Sequence, residues 1–237
     1  MSPRNTTAKR KVGGNVWAPR IAVQLGLLFL LAPLALILLF RFVPPPITPL
    51  MLIRLLQGYS VHYQWVPYDR IAPVLIESVI ASEDNLFCRE AVGFDFKALV
   101  GQIAALRGGE RPRGASTITM QTAKNLLLWP GRDPVRKVIE IWLTPQLALL
   151  WPKRRVLEIY LNVIEFGPGV YGAEAAALRF FGRHASQLKS DHALRLALVL
   201  PAPLHRSAVR PDPYLRERTE VIRSRINQLG PLLDCTR

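Results

Sequence analysis

Leu157–Gly182 reads LEIYLNVIEFGPGVYGAEAAALRFFG. Apolar residues recur at three-to-four spacing up to Phe166, which is the period of a helix with one buried face. Gly167, Pro168 and Gly169 then force a tight turn, with the acids Glu158 and Glu165 close to it. The helical period resumes through GAEAAALRFF. The same spacing runs through APVLIESVIASE before this stretch, and through RKVIEIWLTPQLALLW and RRVLEIYLNVIEF leading into it. Beyond it, Asp191 is expected to cap a helix over DHALRLALVL that Pro201 stops, and a last helix fits Pro213 to Leu229. No run of alternating strand residues and no internal repeat is found. The expected fold class is therefore mainly α, with one globular domain from about residue 60 onward.

The chain has 237 residues, half of them hydrophobic, and a formal net charge of +14. That charge favours anionic partners without choosing among nucleic acid, lipid headgroups and phosphorylated substrates. Ile21–Phe40, IAVQLGLLFLLAPLALILLF, narrows the choice. Twenty uncharged residues match one hydrocarbon core, and the run is longer than the apolar part of a signal peptide. Pro33 is expected to kink this helix, and Arg41 with Pro44, Pro45 and Pro46 to end it. Arg4, Lys9, Arg10, Lys11 and Arg20 precede the span, so the N-terminus is expected in the cytoplasm and the rest outside. An extracytoplasmic domain argues against a nucleic-acid partner. The expected organisation is a basic tail over 1–19, a transmembrane helix over 20–42, a juxtamembrane linker with an amphipathic segment over 43–60, and the globular domain over 61–237. In the third of these, Ile47–Gln57 reads either as a helix on the bilayer surface, with Arg54 reaching lipid phosphates, or as an ordinary core helix. Cys88 and Cys235 could pair in an oxidising compartment, but their spacing does not decide it.

Chemistry concentrates in RGASTITMQTAKN, Arg113–Asn125. Ser116, Thr117, Gln121, Lys124 and Asn125 together offer the donors and the cation that a phosphate or pyrophosphate requires. The plainer reading is a helix start capped by Ser116 or Thr117. The preceding RGGERPRG is a loop, either a lid or plain surface. Upstream, Glu83 and Asp84 end an apolar helix beside Leu86 and Phe87. A carboxylate there loses hydration, which raises its pKa toward what a general base needs. Glu140 follows Arg136 by four, so a salt bridge along one helix face competes with a chemical role. Arg132 and Lys137 add positive charge nearby.

ASEDNLF, STITMQTAKN, RKVIE, LEIYLNVIEFGPGVYGAEAAALRFFG and LALVLPAP stand in the order of the five motifs of the peptidoglycan glycosyltransferases of family 51. The chain resembles that family over roughly residues 44–230, with no transpeptidase domain following. The resemblance implies a lysozyme-like helical glycosyltransferase domain behind one transmembrane helix, in a bacterial inner membrane. It implies polymerisation of lipid II into peptidoglycan glycan strands, with inversion and release of undecaprenyl pyrophosphate. Glu83 falls at the general base, and Glu140 at the glutamate that assists on the donor side. Ser116, Thr117, Gln121, Lys124, Asn125, Arg132, Arg136 and Lys137 fall where the family binds donor pyrophosphate or sugar. Asp84 and Phe87 complete the first motif and are placed with the substrate-binding residues. Some family members use Mg2+ or Mn2+ at the pyrophosphate; no protein metal ligands are assigned here. The implied partners are lipid II, the growing glycan chain, the membrane, and cell-wall synthesis or division proteins. Two other readings are a catalytically weakened lipid II-binding or scaffolding paralogue and a membrane-anchored glycan hydrolase. The first motif departs from the family pattern: Glu90 stands where a histidine is expected, and Gly93 comes one residue late. Ala115 and Ala202 replace a usual glycine and asparagine. Glu90 is expected to point to solvent, where a charge costs least.

Overall fold

The computed structural model describes residues 17–109, 116–131 and 133–236. Most of the basic tail, Arg132 and Ala115 therefore lie outside the described residues, as does most of the Gly/Pro/Arg loop before Ser116. The first helix, α1 (Trp17–Phe40), continues unbroken past Pro33. Its Arg20–Phe40 portion is long and apolar enough to cross a membrane, and it is largely exposed. Its C-terminal carbonyls are met by the globular domain: Trp151 Nε1 donates to Ile37 O at 2.8 Å, and Arg155 Nη2 donates to Phe40 O at 2.7 Å. Ile37 is fully buried in the domain core and Phe29 stacks on Trp142, so the anchor is docked rather than merely tethered.

The helix α2 (Pro49–Leu56) starts at Thr48, whose Oγ1 accepts from Met51 N. It buries Leu50 and Met51 and exposes Leu52, Leu55 and Leu56. Three helices carry the middle of the domain: α3 (Pro73–Glu83), α5 (Ile118–Leu127) and α6 (Pro134–Leu150). Between α3 and α5 lies α4 (Phe96–Arg107), a helix that the sequence reading did not place. The central helix is α7 (Lys153–Val163). From Val156 to Val163 every side chain except Glu158 is buried, so the stretch is apolar on nearly all sides and must be surrounded. Its buried Asn162 is satisfied: Oδ1 accepts from Val66 N, and Nδ2 donates to Val66 O and Glu158 O, each at 2.8 Å. These bonds pin the segment before α3 against α7.

The GPG turn after α7 forms two short strands, β2 (Glu165–Gly167) and β3 (Val170–Tyr171). A third, β1 (His62–Tyr63), pairs parallel to β3, giving the order β1-β3-β2. This small sheet was not expected: strands of two or three residues carry no readable alternation. Two glycines here are required. A Cβ on Gly169 would lie 2.0 Å from Ser60 O, and one on Gly172 2.6 Å from Asn162 O; both have φ in the left-handed region. Then follow α8 (Ala173–Phe181), α9 (Ser190–Val199), packed on α3, and α10 (Pro213–Leu229), whose limits agree with the sequence reading. Asp191 is not the cap of α9. It lies inside the first turn and pairs with Arg195 at 2.8 Å. Cys88 and Cys235 form a disulfide that fastens the C-terminal turn to the loop after α3.

Candidate active site

α3 ends at Glu83 against the opening of α5, and this junction builds the site. Glu83 Oε2 accepts from Gln121 Nε2 at 3.0 Å, and Oε1 accepts from Ser82 Oγ at 3.4 Å. Gln121 is aligned in turn by Tyr160, whose hydroxyl donates to Gln121 Oε1 at 3.1 Å. Tyr160 comes from the middle of α7 and is fully buried. Burial raises the pKa of Glu83; the bonds from Gln121 and Ser82, and the charges of Arg206 and Lys124, oppose this only in part. The result is a half-buried carboxylate held by neutral donors alone.

Beside it opens a cavity of about 540 Å³, within the range of small-molecule sites. Glu83 is not a wall residue; it meets the cavity through Gln121 and Lys124, which are. Asn125, Trp129 and Arg136 continue the α5–α6 wall, and Arg54, Glu165 and the Pro201–His205 turn face them. Lys124 makes no hydrogen bond to a described residue. Burial pulls its ammonium below the usual value, with Arg136 and Lys137 adding repulsion while Glu140 and Glu83 oppose. A half-buried cation short of partners, at the wall of a cavity, is suited to an anionic ligand.

Glu140 differs from Glu83. It is 2 % exposed, and its two oxygens are taken by Arg136 Nη1 at 2.5 Å and Lys137 Nζ at 2.6 Å. Lys137 Nζ also donates to Ser116 Oγ at 3.2 Å. Glu140 thus acts as an anionic strut holding two cations side by side. Among the described residues no three His, Cys, Asp or Glu side chains gather around a point where a metal could sit.

Several expected positions need correction. Phe87 is fully buried beneath the Lys153 ammonium, 4.3 Å from its ring centroid, so it packs the core and cannot touch substrate. Asp84 is buried and is not a wall residue of the cavity; its Oδ2 accepts from Ile118 N at 2.8 Å and so caps α5. Thr117 is the N-cap of α5, its Oγ1 accepting from Met120 N and donating to Gly93 O, which leaves it no free donor. For Thr117 the helix-start reading wins. Arg54 does not reach outward to lipid: its Nη1 donates to Gln57 Oε1, and its Nη2 lies 4.0 Å from Glu165 at the cavity wall. Glu90 does not point to solvent. It is 5 % exposed, behind Asp84. Tyr160, Ser82, Trp129, Glu165 and His205 were missed as site residues. Tyr160 and Glu165 lay within a quoted motif but read as core and turn residues.

A half-buried carboxylate thus lies beside a cation-walled cavity, on a helical domain behind an apolar N-terminal helix, an arrangement suited to an enzyme with an anionic substrate. The sequence pattern of the Transglycosylase family matches residues 51–227, and the chain belongs to that family. It is an enzyme of the glycosyltransferase type. It is 45% identical over 202 residues to the biosynthetic peptidoglycan transglycosylase of Caulobacter vibrioides, covering 85% of this chain and 88% of that one. It is 47% identical over 206 residues to the protein of the same name in Rhodospirillum centenum, covering 86% and 88%. For the Xanthomonas campestris pv. campestris protein of that name the identity is 46% over 211 residues, covering 86% and 85%.

Proposed function

We propose that this transglycosylase polymerises lipid II into peptidoglycan glycan strands, with inversion at the donor sugar and release of undecaprenyl pyrophosphate. Glu83 takes the proton from the acceptor's 4-hydroxyl as that oxygen bonds to the donor's anomeric carbon. The bond from that carbon to the pyrophosphate oxygen breaks, and its electron pair leaves with the lipid pyrophosphate. The leaving group gains negative charge as it departs, and Lys124 and Arg136 at the cavity wall, with Lys137 behind them, stabilise it there. Glu140 contributes by holding Arg136 and Lys137 in place. A divalent ion would add charge neutralisation at the leaving group, but no cluster of three His, Cys, Asp or Glu side chains among the described residues would hold it.

The observation that carries this reading is the pairing of opposites: a carboxylate held by neutral donors lies next to an ammonium that has no hydrogen-bond partner among the described residues. A hydrolase of neutral glycosidic bonds has no use for the second group. Membrane residence is supported by the exposed apolar length of α1 and by Leu52, Leu55 and Leu56 facing outward on α2. The disulfide favours an oxidising compartment, hence a periplasmic catalytic domain and a cytoplasmic N-terminus. The test is incubation of the detergent-solubilised protein with labelled lipid II. A lysozyme-sensitive ladder of uncrosslinked chains is expected. Unreacted substrate, under conditions where a related enzyme polymerises it, overturns the proposal.

A further inference from the structure

Directly behind Glu83, a second pair of acids is packed where no solvent reaches. Glu90 and Asp84 are 5 % and 8 % exposed. Among the described residues neither oxygen of Glu90 has a hydrogen-bond donor, and the group it faces is another acceptor, the Asp84 carboxylate. Two acceptors in contact without a donor is an arrangement that a protein interior does not sustain. A proton between them turns the contact into a hydrogen bond. Burial raises the Asp84 carboxyl too, but the backbone N–H groups of Ile118, at 2.8 Å, and of Leu86 donate to it and oppose this, support that Glu90 lacks among the described residues. The proton therefore belongs on Glu90.

We propose that Glu90 is a positioning residue that works as a neutral acid: it donates its proton to Asp84, which holds the start of α5 and thereby sets Gln121 against Glu83. The linkage is continuous. Asp84 binds Ile118 N, Ile118 opens α5, and Gln121 on its first turn donates to Glu83 Oε2. Burial, and next the negative charge of Asp84, hold the Glu90 carboxyl protonated up to about pH 8, with Asp95 adding to this and Lys153 opposing. Lys153, at the start of α7, directs its ammonium to Phe87 O and over the Phe87 ring, so it moderates the pair without bonding it. From the other packed elements, Arg225 on α10 donates to Ala81 O, while Arg89 and Asp234 are exposed. Above about pH 8 the proton leaves, two like charges face each other in a buried site, and the hold on α5 loosens.

This inference rests on the proposed glycosyl transfer for its activity arm only; its stability arm is independent. An unfolded glutamate loses its proton near 4.5, the folded Glu90 at about 8. Between these values the folded state binds more protons, so stability falls as pH rises through that window and levels off above it. The experiment compares the full-length wild-type protein with Glu90→Gln and Glu90→Ala. Melting temperature is measured from pH 5 to 9, and lipid II turnover over the same range. Gln cannot ionise yet still donates, so the fall in melting temperature from pH 5 to 8.5 should shrink by about 3 °C or more in Glu90→Gln. Its alkaline limb of turnover should move up by about one pH unit. Glu90→Ala should lose about fivefold in rate at pH 7, the scale of one hydrogen bond, while Glu90→Gln keeps it. A melting profile of Glu90→Gln parallel to wild type overturns the neutral-acid assignment, whatever the activity. An alkaline limb that stays in place in Glu90→Gln overturns the positioning role. Absence of product from every variant, with the melting profiles as expected, removes the proposed reaction and the positioning role but leaves the neutral acid standing.

Discussion

Glu83 and Glu140 both lie behind residues that wall the cavity, Gln121 and Lys124 for one and Arg136 for the other, yet they are held in opposite ways. Glu83 receives an amide N–H and a hydroxyl, neither charged, and burial raises its pKa. Glu140 receives a guanidinium and an ammonium, one on each oxygen. A carboxylate that must accept a proton in each turnover cannot be locked to fixed cations, whereas one that orders cations must be. The donors around each glutamate thus separate the proposed base from the strut, although both are glutamates behind the wall of the same cavity.

Replacing each with glutamine breaks this comparison in two different measurements. Glu83→Gln keeps the size and the bond to Ser82 but cannot take a proton. Turnover should fall by about 10²-fold to 10⁴-fold, with the melting temperature unchanged or slightly raised, since a desolvated charge is removed. Glu140→Gln leaves Arg136 and Lys137 facing each other without an anion. Its main effect should be on stability, about 3 kcal/mol for a broken buried pair, with lipid II affinity reduced because the cations move apart. Equal losses of turnover and stability in both variants would erase the distinction. The pH profile sharpens it further. Only the ionised form of Glu83 is a base, so activity should fall as pH drops through its raised pKa, above the ordinary carboxylate range.

The next effect in size tests the cation that lies between the two glutamates. Lys124→Ala removes the ammonium and keeps a good helix former within α5. A charged hydrogen bond contributes about 1.5–3 kcal/mol, so lipid II affinity should fall by about tenfold to a hundredfold. Melting temperature should stay level or rise, because a desolvated charge is lost. Unchanged affinity with a collapsed melting temperature would make Lys124 structural and Arg136 the main anion contact.

The sequence carried the helices and the two glutamates, because both leave local marks. Helix periodicity gave α3 and α10 nearly to the residue, but ran α7 on to Phe166 although the helix ends at Val163 and Glu165–Gly167 turns into β2. What it did not carry was which face of a motif looks inward. Thr117, Phe87 and Asp84 lie in the same motifs as Gln121 and Glu83, yet they cap or pack the helices behind the cleft. Motif membership does not separate the two sets; only the rotation of each side chain about its element does. Glu90 was misplaced for a physical reason. A charge is cheapest in water, but the argument fails when the group is not charged; Asp84 was close in sequence, yet that the two acids face each other shows only once α3, α5 and the following loop are assembled. Arg54 was read from its own amphipathic helix, while its partner Glu165 lies 111 residues away.

Tyr160 is the sharpest case of a site residue hidden in a core pattern, and it gives the smallest predicted effect. Its ring is fully buried, as the periodicity of α7 requires, but its hydroxyl decides which way Gln121 faces. By donating to Gln121 Oε1 it leaves Nε2 for Glu83. In Tyr160→Phe the ring still fills its place and no cavity forms, but that orientation loses its support. A flipped Gln121 would point an acceptor at the Glu83 carboxylate and disfavour its ionised form, adding to the effect of burial. One neutral hydrogen bond contributes about 1 kcal/mol, equivalent to roughly 0.7 pH unit. The acid limb of lipid II turnover should therefore move up by about that amount, with a rate loss of up to about fivefold at a pH below that limb and none at a pH well above it. Titration of turnover in Tyr160→Phe against wild type checks this. A loss that is the same at both pH values would mean that Tyr160 only packs α7, and that Gln121 is oriented by Ser116 O, its other, longer contact at 3.4 Å.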